Sequence, residues 1–295
     1  MVAPEVRRAL AEGRPVVALE TTIICHGIPR PDNVRLALEI ERAVRAEGAV
    51  PAATAVLDGA IRVGLAEDEL QALAASDRVI KCTTRDLPRM VASRRAGATT
   101  VAATLFIAAQ SGIPVMATGG IGGVHRGGEA SFDVSADLEE LARRSAMVVA
   151  SGIKTILDLP RTMERLESLG VPVIGLGTAE LPGLYTATSG LSVPRAGRLE
   201  EITAQFRVHR ALNLPGALLV VQPPPPELAL AAGEVEHLVA RARERARAAG
   251  ISGPDETPFL LRAMAEDSGG RTVRLNCALA LANAALAARL AVALG

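Results

Sequence analysis

The chain has 295 residues, 49% of them apolar, and its 32 basic residues are balanced by 32 acidic ones. That length suits one large domain or two small ones with a sizeable core; with aromatics at only 2% the core must be built from Ala, Val, Leu and Ile, which argues against an aromatic-rich sandwich. The neutral balance and the lack of an isolated basic tract exclude a nucleic-acid partner: the most basic stretch, R-A-R-E-R-A-R from Arg241, has Glu244 inside it and reads as the solvated face of a helix.

In chain order, Met1–Gly13 lacks an apolar h-region, so no secretory signal is expected and the protein reads as soluble and cytoplasmic. Strands are predicted at Val16–Leu19, Ala53–Leu57, Val79–Cys82, Val115–Thr118, Met147–Ala150, Val173–Leu176 and Ala217–Val221. Helical patterns lie between most of them, at Asn33–Glu47, Thr100–Gln110, Leu138–Arg144 and Thr162–Leu169. This alternation predicts an α/β protein with a largely parallel sheet and helices on both faces. Ile61–Leu65, after Asp58-Gly59, can pair with its predecessor as a hairpin, which would make the sheet mixed. Pro223–Pro226 breaks the pattern, and only helical segments follow, at Glu234–Ala249, Pro258–Asp267 and Val273–Leu294. The last is Ala-rich and interrupted by Arg289, too short in its uncharged part to span a bilayer, so no membrane partner is expected. It needs a partner to cover it, which argues for a single domain over residues 1–295. Three distant cysteines, Cys25, Cys82 and Cys277, suggest neither a disulfide framework nor a thiolate metal site.

Of the 32 basic residues, 30 are Arg and only two, Lys81 and Lys154, are Lys. A GC-rich genome explains the arginines but not where the lysines stand. Arginine serves surface charge well but cannot supply a neutral amine near neutral pH, so a retained lysine is a candidate nucleophile or compact cation. Both fall at or just past predicted strand ends, where open α/β sheets collect ligands.

Other polar groups share that placement. Glu20 follows V-V-A-L and precedes two threonines; it either caps the strand end or, buried, donates a proton. The glycine loop Gly119–Gly128 matches no nucleotide fingerprint and reads as a lid or a close-approach loop, with His125 and Arg126 as anion contacts or solvated loop residues. In S-F-D-V-S-A-D from Ser131, Ser135 or Asp137 can cap the next helix, whereas Asp133 lies outside it and suits a hard divalent cation. Thr100, in G-A-T-T-V from Gly97, opens a helix whose unpaired N–H groups can hold a phosphate. Cys25-His26 resembles a thiol–imidazole pair, but adjacent residues rarely face each other.

Taken together, the motifs resemble the pseudouridine-5′-phosphate glycosidase family, also called indigoidine synthase A-like. The likeness runs over nearly the whole chain. It rests on A-L-E-T-T-I-I-C-H-G-I-P-R-P-D-N from Ala18, A-V-L-D-G from Ala55, K-C-T-T-R-D-L from Lys81 and G-A-T-T-V-A-A-T from Gly97. It continues through T-G-G-I-G-G-V-H-R-G from Thr118, S-F-D-V-S-A-D-L from Ser131, S-G-I-K-T-I-L-D from Ser151 and N-L-P-G-A from Asn213. The resemblance implies a three-layer α/β/α fold, a homotrimer and cleavage of pseudouridine 5′-phosphate to uracil and ribose 5-phosphate. It implies Lys154 as nucleophile, Glu20 as proton donor, and substrate contacts at Lys81, Val101, Ser135, Ala136 and Asp137, with Thr100 beside them. It also implies a manganese ion, one per subunit, held by Asp133, and an asparagine in R-L-N-C-A-L-A-L-A-N-A, Asn276 before Asn283, touching the substrate. Two other readings stay open on residues alone: a Schiff-base aldolase or lyase on another sugar phosphate, and a binding protein on the same scaffold.

Overall fold

The computed structural model describes residues 1–295, the side chain of Pro254 excepted. Val16–Leu19 is buried at every position, as a strand covered on both faces must be. Around it the strands, in chain order, are β1 (Val16–Leu19), β2 (Val50–Leu57), β3 (Ala60–Val63), β4 (Ile80–Cys82), β5 (Gly97–Thr99), β6 (Val115–Ala117), β7 (Met147–Ala150), β8 (Val173–Leu176), β9 (Arg195–Ala196) and β10 (Leu218–Val221). The helices are α1 (Pro4–Ala11), α2 (Asp32–Ala46), α3 (Glu67–Ala75), α4 (Leu87–Ala92), α5 (Val101–Gln110), α6 (Gly128–Ser131), α7 (Ala136–Arg143), α8 (Leu159–Ser168), α9 (Leu199–Ala211), α10 (Ala232–Ala248), α11 (Glu256–Asp267) and α12 (Arg271–Leu294).

One sheet runs β4-β5-β2-β1-β6-β7-β10-β8-β9, with β3 also on β2. Alternation divides each strand between two cores. Val17, Leu19, Val115, Val149 and Val220 pack with α2, α3, α9 and α12; Val16, Ala18, Met116, Val148 and Leu219 pack with α1, α5, α7, α8 and α10. The result is the expected three-layer arrangement. Helix α12 is the one described helix long and apolar enough to cross a membrane, but it is half buried, and it packs on α2, β6 and β7.

The sheet is mixed, and its reversal makes the site. Strands β1, β2, β6, β7, β10, β8 and β9 are parallel to their neighbours in that set. Strand β5 is antiparallel to β2 and parallel to β4. The hairpin partner β3 covers one edge of β2 over Thr54–Leu57, so β5 must lie along the edge that β1 uses further back. The carboxyl ends of β1 and β5 therefore meet head-on, joined where the Thr21 N–H donates to the Thr99 carbonyl at 3.2 Å. Four buried threonines seal this junction. Thr21 and Thr99 hydroxyls both donate to the Thr54 carbonyl, at 2.8 and 2.7 Å. The Thr54 hydroxyl lies 2.8 Å from that of Thr99 and 3.0 Å from that of Thr104.

Three strands, Val16–Leu19, Met147–Ala150 and Val173–Leu176, have the bounds read from sequence. Strand β2 begins three residues before the expected Ala53, through Pro51. The Val50 N–H points to β1, donating to Pro15; the next residue therefore faces the edge that β3 has not yet reached, where proline has no bond to lose. Gly97–Thr99 is strand rather than helix start, and α5 begins only at Val101. Among the helices that sequence did not mark, α9 buries Thr203 and His209 in its inner stripe while exposing Val208, which blurs the apolar period. Asp58 and Gly59 take positive φ, 49° and 79°, as a two-residue hairpin turn requires.

Thr54→Val should fold but lose about 1–3 kcal/mol of stability, since it strands several buried hydroxyls at once. Urea denaturation measures this; a loss near zero would mean the threonine junction contributes little.

Candidate active site

Glu20 is the first residue past β1. Its Oε1 accepts from the Thr118 hydroxyl at 2.9 Å and its Oε2 accepts from the Ile23 N–H at 3.0 Å. Thr118 is likewise the first residue past β6, next to β1 in the sheet. Beyond Thr22 the chain turns through a π-helix, Ile23–Gly27, which returns the Ile23 amide to Glu20. Burial pushes the Glu20 carboxyl above the ordinary carboxylate range; the positive charge of Lys154, then the Thr118 and Ile23 hydrogen bonds, oppose this but do not outweigh it.

Lys154 lies on a loop after β7 that is stitched to the glycine loop after β6: the Ile121 N–H donates to Gly152 at 3.1 Å and the Lys154 N–H donates to Ile121 at 3.1 Å. Lys81 lies within β4 and arrives from the opposite side of the crevice. Burial, then the charge of Lys154, pushes the Lys81 amine below its usual range. Among the described residues, neither lysine has a carboxylate within ion-pair distance, although many arginines do. The two lysines read from composition thus converge with Glu20.

Asp137 builds a wall of the site by joining α5 to the glycine loop. Its Oδ1 accepts from the Ala102 N–H, at the start of α5, at 2.9 Å, and its Oδ2 accepts from the Gly122 N–H at 2.8 Å. Of the two cap candidates, Ser135 is the N-cap of α7 and accepts from the Asp137 N–H at 3.2 Å. Asp137 instead caps a different helix, which no local pattern could reveal. Thr100 is the N-cap of α5, its hydroxyl accepting from Ala103. Val101 is the next residue and has no hydrogen-bond partner for its amide among the described residues. The glycine loop is a close-approach loop. A side chain at Gly122 would stand 2.3 Å from Ser135 Oγ.

Asp133 sits beside this wall, with His125 Nδ1 3.8 Å from its Oδ2 and 3.4 Å from Glu256 Oε2. The ligand atoms of His125, Asp133 and Glu256 all lie within 4.8 Å of one another and could hold a metal ion. Two carboxylates and an imidazole suit a divalent transition metal. Sequence points only to Asp133; Glu256 lies over a hundred residues away, and His125 reads there as an anion contact or a solvated loop residue. Arg126 is not available for an anion, because it pairs with Glu236 at 2.7 Å and donates to Leu157 and Thr155.

Cys25 is no nucleophile: burial, then the charge of Glu20, pushes its thiol up to about 12. Near Lys81, His26 Nε2, Thr83 Oγ1 and Thr84 Oγ1 are buried without partners, and burial followed by the Lys81 charge keeps the His26 imidazole neutral to lower pH than usual. Asn276 faces Gly119, its Oδ1 3.3 Å from where a side chain there would begin, and its side chain makes no hydrogen bond to another described residue. Asn283 is fully engaged in the interior. A surface cleft of about 600 Å³ is lined by Arg126, Thr155, Asp158 and Thr186 and includes none of Glu20, Lys81 or Lys154.

Residues 5–293 match the family described as indigoidine synthase A like protein. The chain belongs to the indigoidine synthase A-like family. Its relatives within this family include proteins named pseudouridine-5′-phosphate glycosidase. That of Methylobacterium nodulans is 52% identical over 293 residues, covering 99% of this chain and 87% of the relative. That of Paracoccus denitrificans is 51% identical over 296 residues, covering 99% and 97%. Among solved structures, the prealnumycin C-glycosynthase AlnA in complex with ribulose 5-phosphate superposes with a TM-score of 0.92 at 37% identity, covering 100% of this chain and 96% of that one. An indigoidine synthase A (IdgA)-like protein from Thermotoga maritima gives 0.89 at 37% identity, covering 95% and 93%.

The raised carboxyl of Glu20 has a stability consequence. Its folded value exceeds its unfolded one, so its contribution is whole below the unfolded value, about 4.3, and is lost as pH rises through the folded value. Glu20→Gln should therefore gain stability over the parent above that window and match it most closely near pH 4. Denaturation midpoints across pH measure this, and a difference independent of pH would contradict the raised value.

Proposed function

We propose that the protein is a pseudouridine-5′-phosphate glycosidase, reversibly cleaving the carbon–carbon glycosidic bond to give uracil and ribose 5-phosphate. The observation that carries this reading is the convergence of Glu20, Lys81 and Lys154 in one crevice. Relatives about half identical to the chain carry that name.

A C-glycoside has no electronegative leaving atom, so hydrolysis by paired carboxylates serves it poorly. An amine nucleophile meets the difficulty by opening the sugar. Lys154 attacks C1′, with no ion pair to break first, while Glu20, its carboxyl raised by burial, gives its proton to the ring oxygen. With the ribose open, the bond to uracil breaks, and the base leaves with a proton. The imine of ribose 5-phosphate left on Lys154 is then hydrolysed by water, returning the amine. Lys81 and the unpaired Val101 amide, beside Thr100, are suited to the phosphate. Ser135, Ala136 and Asp137 shape the wall beside it, and Asn276 faces the base. Bound manganese, one ion per subunit, would add Lewis-acid or templating character; Asp133, with His125 and Glu256, would hold it. The likeness to a C-glycosynthase favours one second reading, the same groups working in the bond-forming direction.

We place the enzyme in the cytoplasm as a homotrimer. Exposed Val208, Leu212, Leu214 and Val292 support assembly; they cluster where Arg207 binds the carbonyls of Ala293 and Leu294.

With manganese present, the protein should release uracil from pseudouridine 5′-phosphate. Borohydride added during turnover should leave a reduced ribose-phosphate adduct on the peptide containing Lys154, seen by mass spectrometry. Lys154→Arg should fold and lose at least about a thousandfold in kcat, because it keeps the charge but cannot form the imine. An active Arg variant, or an adduct only on Lys81, would overturn the mechanism. For the metal, His125→Ala and Glu256→Gln should each weaken Mn²⁺ binding by about tenfold or more, read from the free-ion signal in electron paramagnetic resonance. Unchanged affinity in both would reduce the site to Asp133 and water.

A further inference from the structure

Asn283 is fully buried in the middle of α12, and the proposed chemistry gives it no part. Its Nδ2 donates to the Thr118 carbonyl at 2.8 Å and to the Gly119 carbonyl at 3.2 Å. Ser151 Oγ lies 3.2 Å from the same nitrogen and 3.3 Å from Oδ1. Gln222 Nε2 donates to Oδ1 at 2.8 Å. These contacts fall just past β6, β7 and β10, three adjacent strands. We propose that Asn283 is a positioning residue that sets Glu20 relative to Lys154 by holding the carboxyl ends of these strands together. The inference rests on the glycosidase reading for what the two groups do, but not for the geometry.

The chain of contacts is short in both directions. On one side, Thr118, whose carbonyl Asn283 holds, is the residue whose hydroxyl donates to Glu20. On the other, Ser151 stands three residues before Lys154, and its N–H donates to the Gly119 carbonyl at 2.9 Å. One amide thus binds both the segment that orients the acid and the segment that carries the amine. Its orientation is not arbitrary. Two carbonyls demand a donor on one side and the Gln222 amide supplies a donor on the other, so a flipped amide would set acceptor against acceptor. The glycine at position 119 lets α12 come this close, since a side chain there would lie 3.2 Å from Leu279 Cδ1 and 3.3 Å from Asn276 Oδ1. Asn276 and Asn283 are seven residues apart, two turns along the same stripe of α12. The first looks into the crevice and the second is locked beneath it. Phosphate recognition depends on β4, β5 and the start of α5, which Asn283 does not touch.

Asn283→Asp keeps the size of the side chain and removes both donors. Leu286→Ala, elsewhere on α12 and fully buried, serves as a destabilised control. Asn283→Asp should lower kcat for uracil release by about a hundredfold, as expected for a small displacement of reacting groups. KM for pseudouridine 5′-phosphate should stay within about threefold. The Glu20 titration, followed by carboxyl ¹³C resonances, should move up as Thr118 loosens. Leu286→Ala should lower Tm but leave kcat and the Glu20 titration as in the parent. Gln222→Leu removes only the donor that fixes the amide, and should give a smaller change of the same kind; it keeps the test readable if Asn283→Asp does not fold. If the parent releases no uracil, the substrate reading fails, and the Glu20 titration alone still decides the role of Asn283. A kcat and titration no different from those of Leu286→Ala, or losses confined to KM, would overturn the inference.

Discussion

Everything at the site depends on two sets of strands that end against each other. Strands β1, β6 and β7 run toward the crevice from one side, and β4 and β5 run toward it from the other. Strand ends leave backbone groups without ladder partners, and buried orphans of this kind are costly. Thr21, Thr54, Thr99 and Thr104 supply the missing partners at the β1–β5 junction, where no water has to enter. That junction lets Glu20 stand at the end of one strand set while Lys81 lies within β4 of the other.

The electrostatics follow from the same geometry. A carboxyl at a buried strand end loses more by desolvation than it gains from one nearby ammonium, so the Glu20 carboxyl lies above the ordinary carboxylate range. The lysines are kept out of ion pairs in a chain where arginines take that work. A carboxyl raised by burial and an amine outside any ion pair are the two groups that the proposed chemistry would draw on. The metal-ligand candidates stand apart from this pair, on the glycine loop, the segment after it and α11.

Buried polar side chains do much of the arranging. Asp137 spends both carboxylate oxygens on amides, one from α5 and one from the glycine loop, and so ties that helix to the loop. Asn283 does for the opposite strand ends what Asp137 does for the loop. Each is buried and fully bonded, the condition under which a polar group inside a protein specifies geometry instead of destabilising it.

Much of this was legible in the chain. Short apolar runs marked most of the sheet, because strands covered on both faces must be apolar throughout. The survival of two lysines among thirty arginines marked Lys81 and Lys154 as candidates, since no arginine can supply a neutral amine. Motif order carried the family, and Asp133 stood out because capping could not explain it. The rest lay in contacts between residues far apart. The direction of β5 is not written in Gly97–Thr99, because three residues carry no sign of which edge they will join. Glu256 looks like any surface glutamate until α11 brings it to His125, and Asp137 looks like a cap for its own helix until folding sets it under another. Sequence alone determined the layers and the family and singled out candidate reactive side chains, because burial and chemistry are properties of residue type. Only the tertiary structure decided which strand ends face each other and which amides hold them there, because hydrogen-bond partners across the sheet are chosen by position in space.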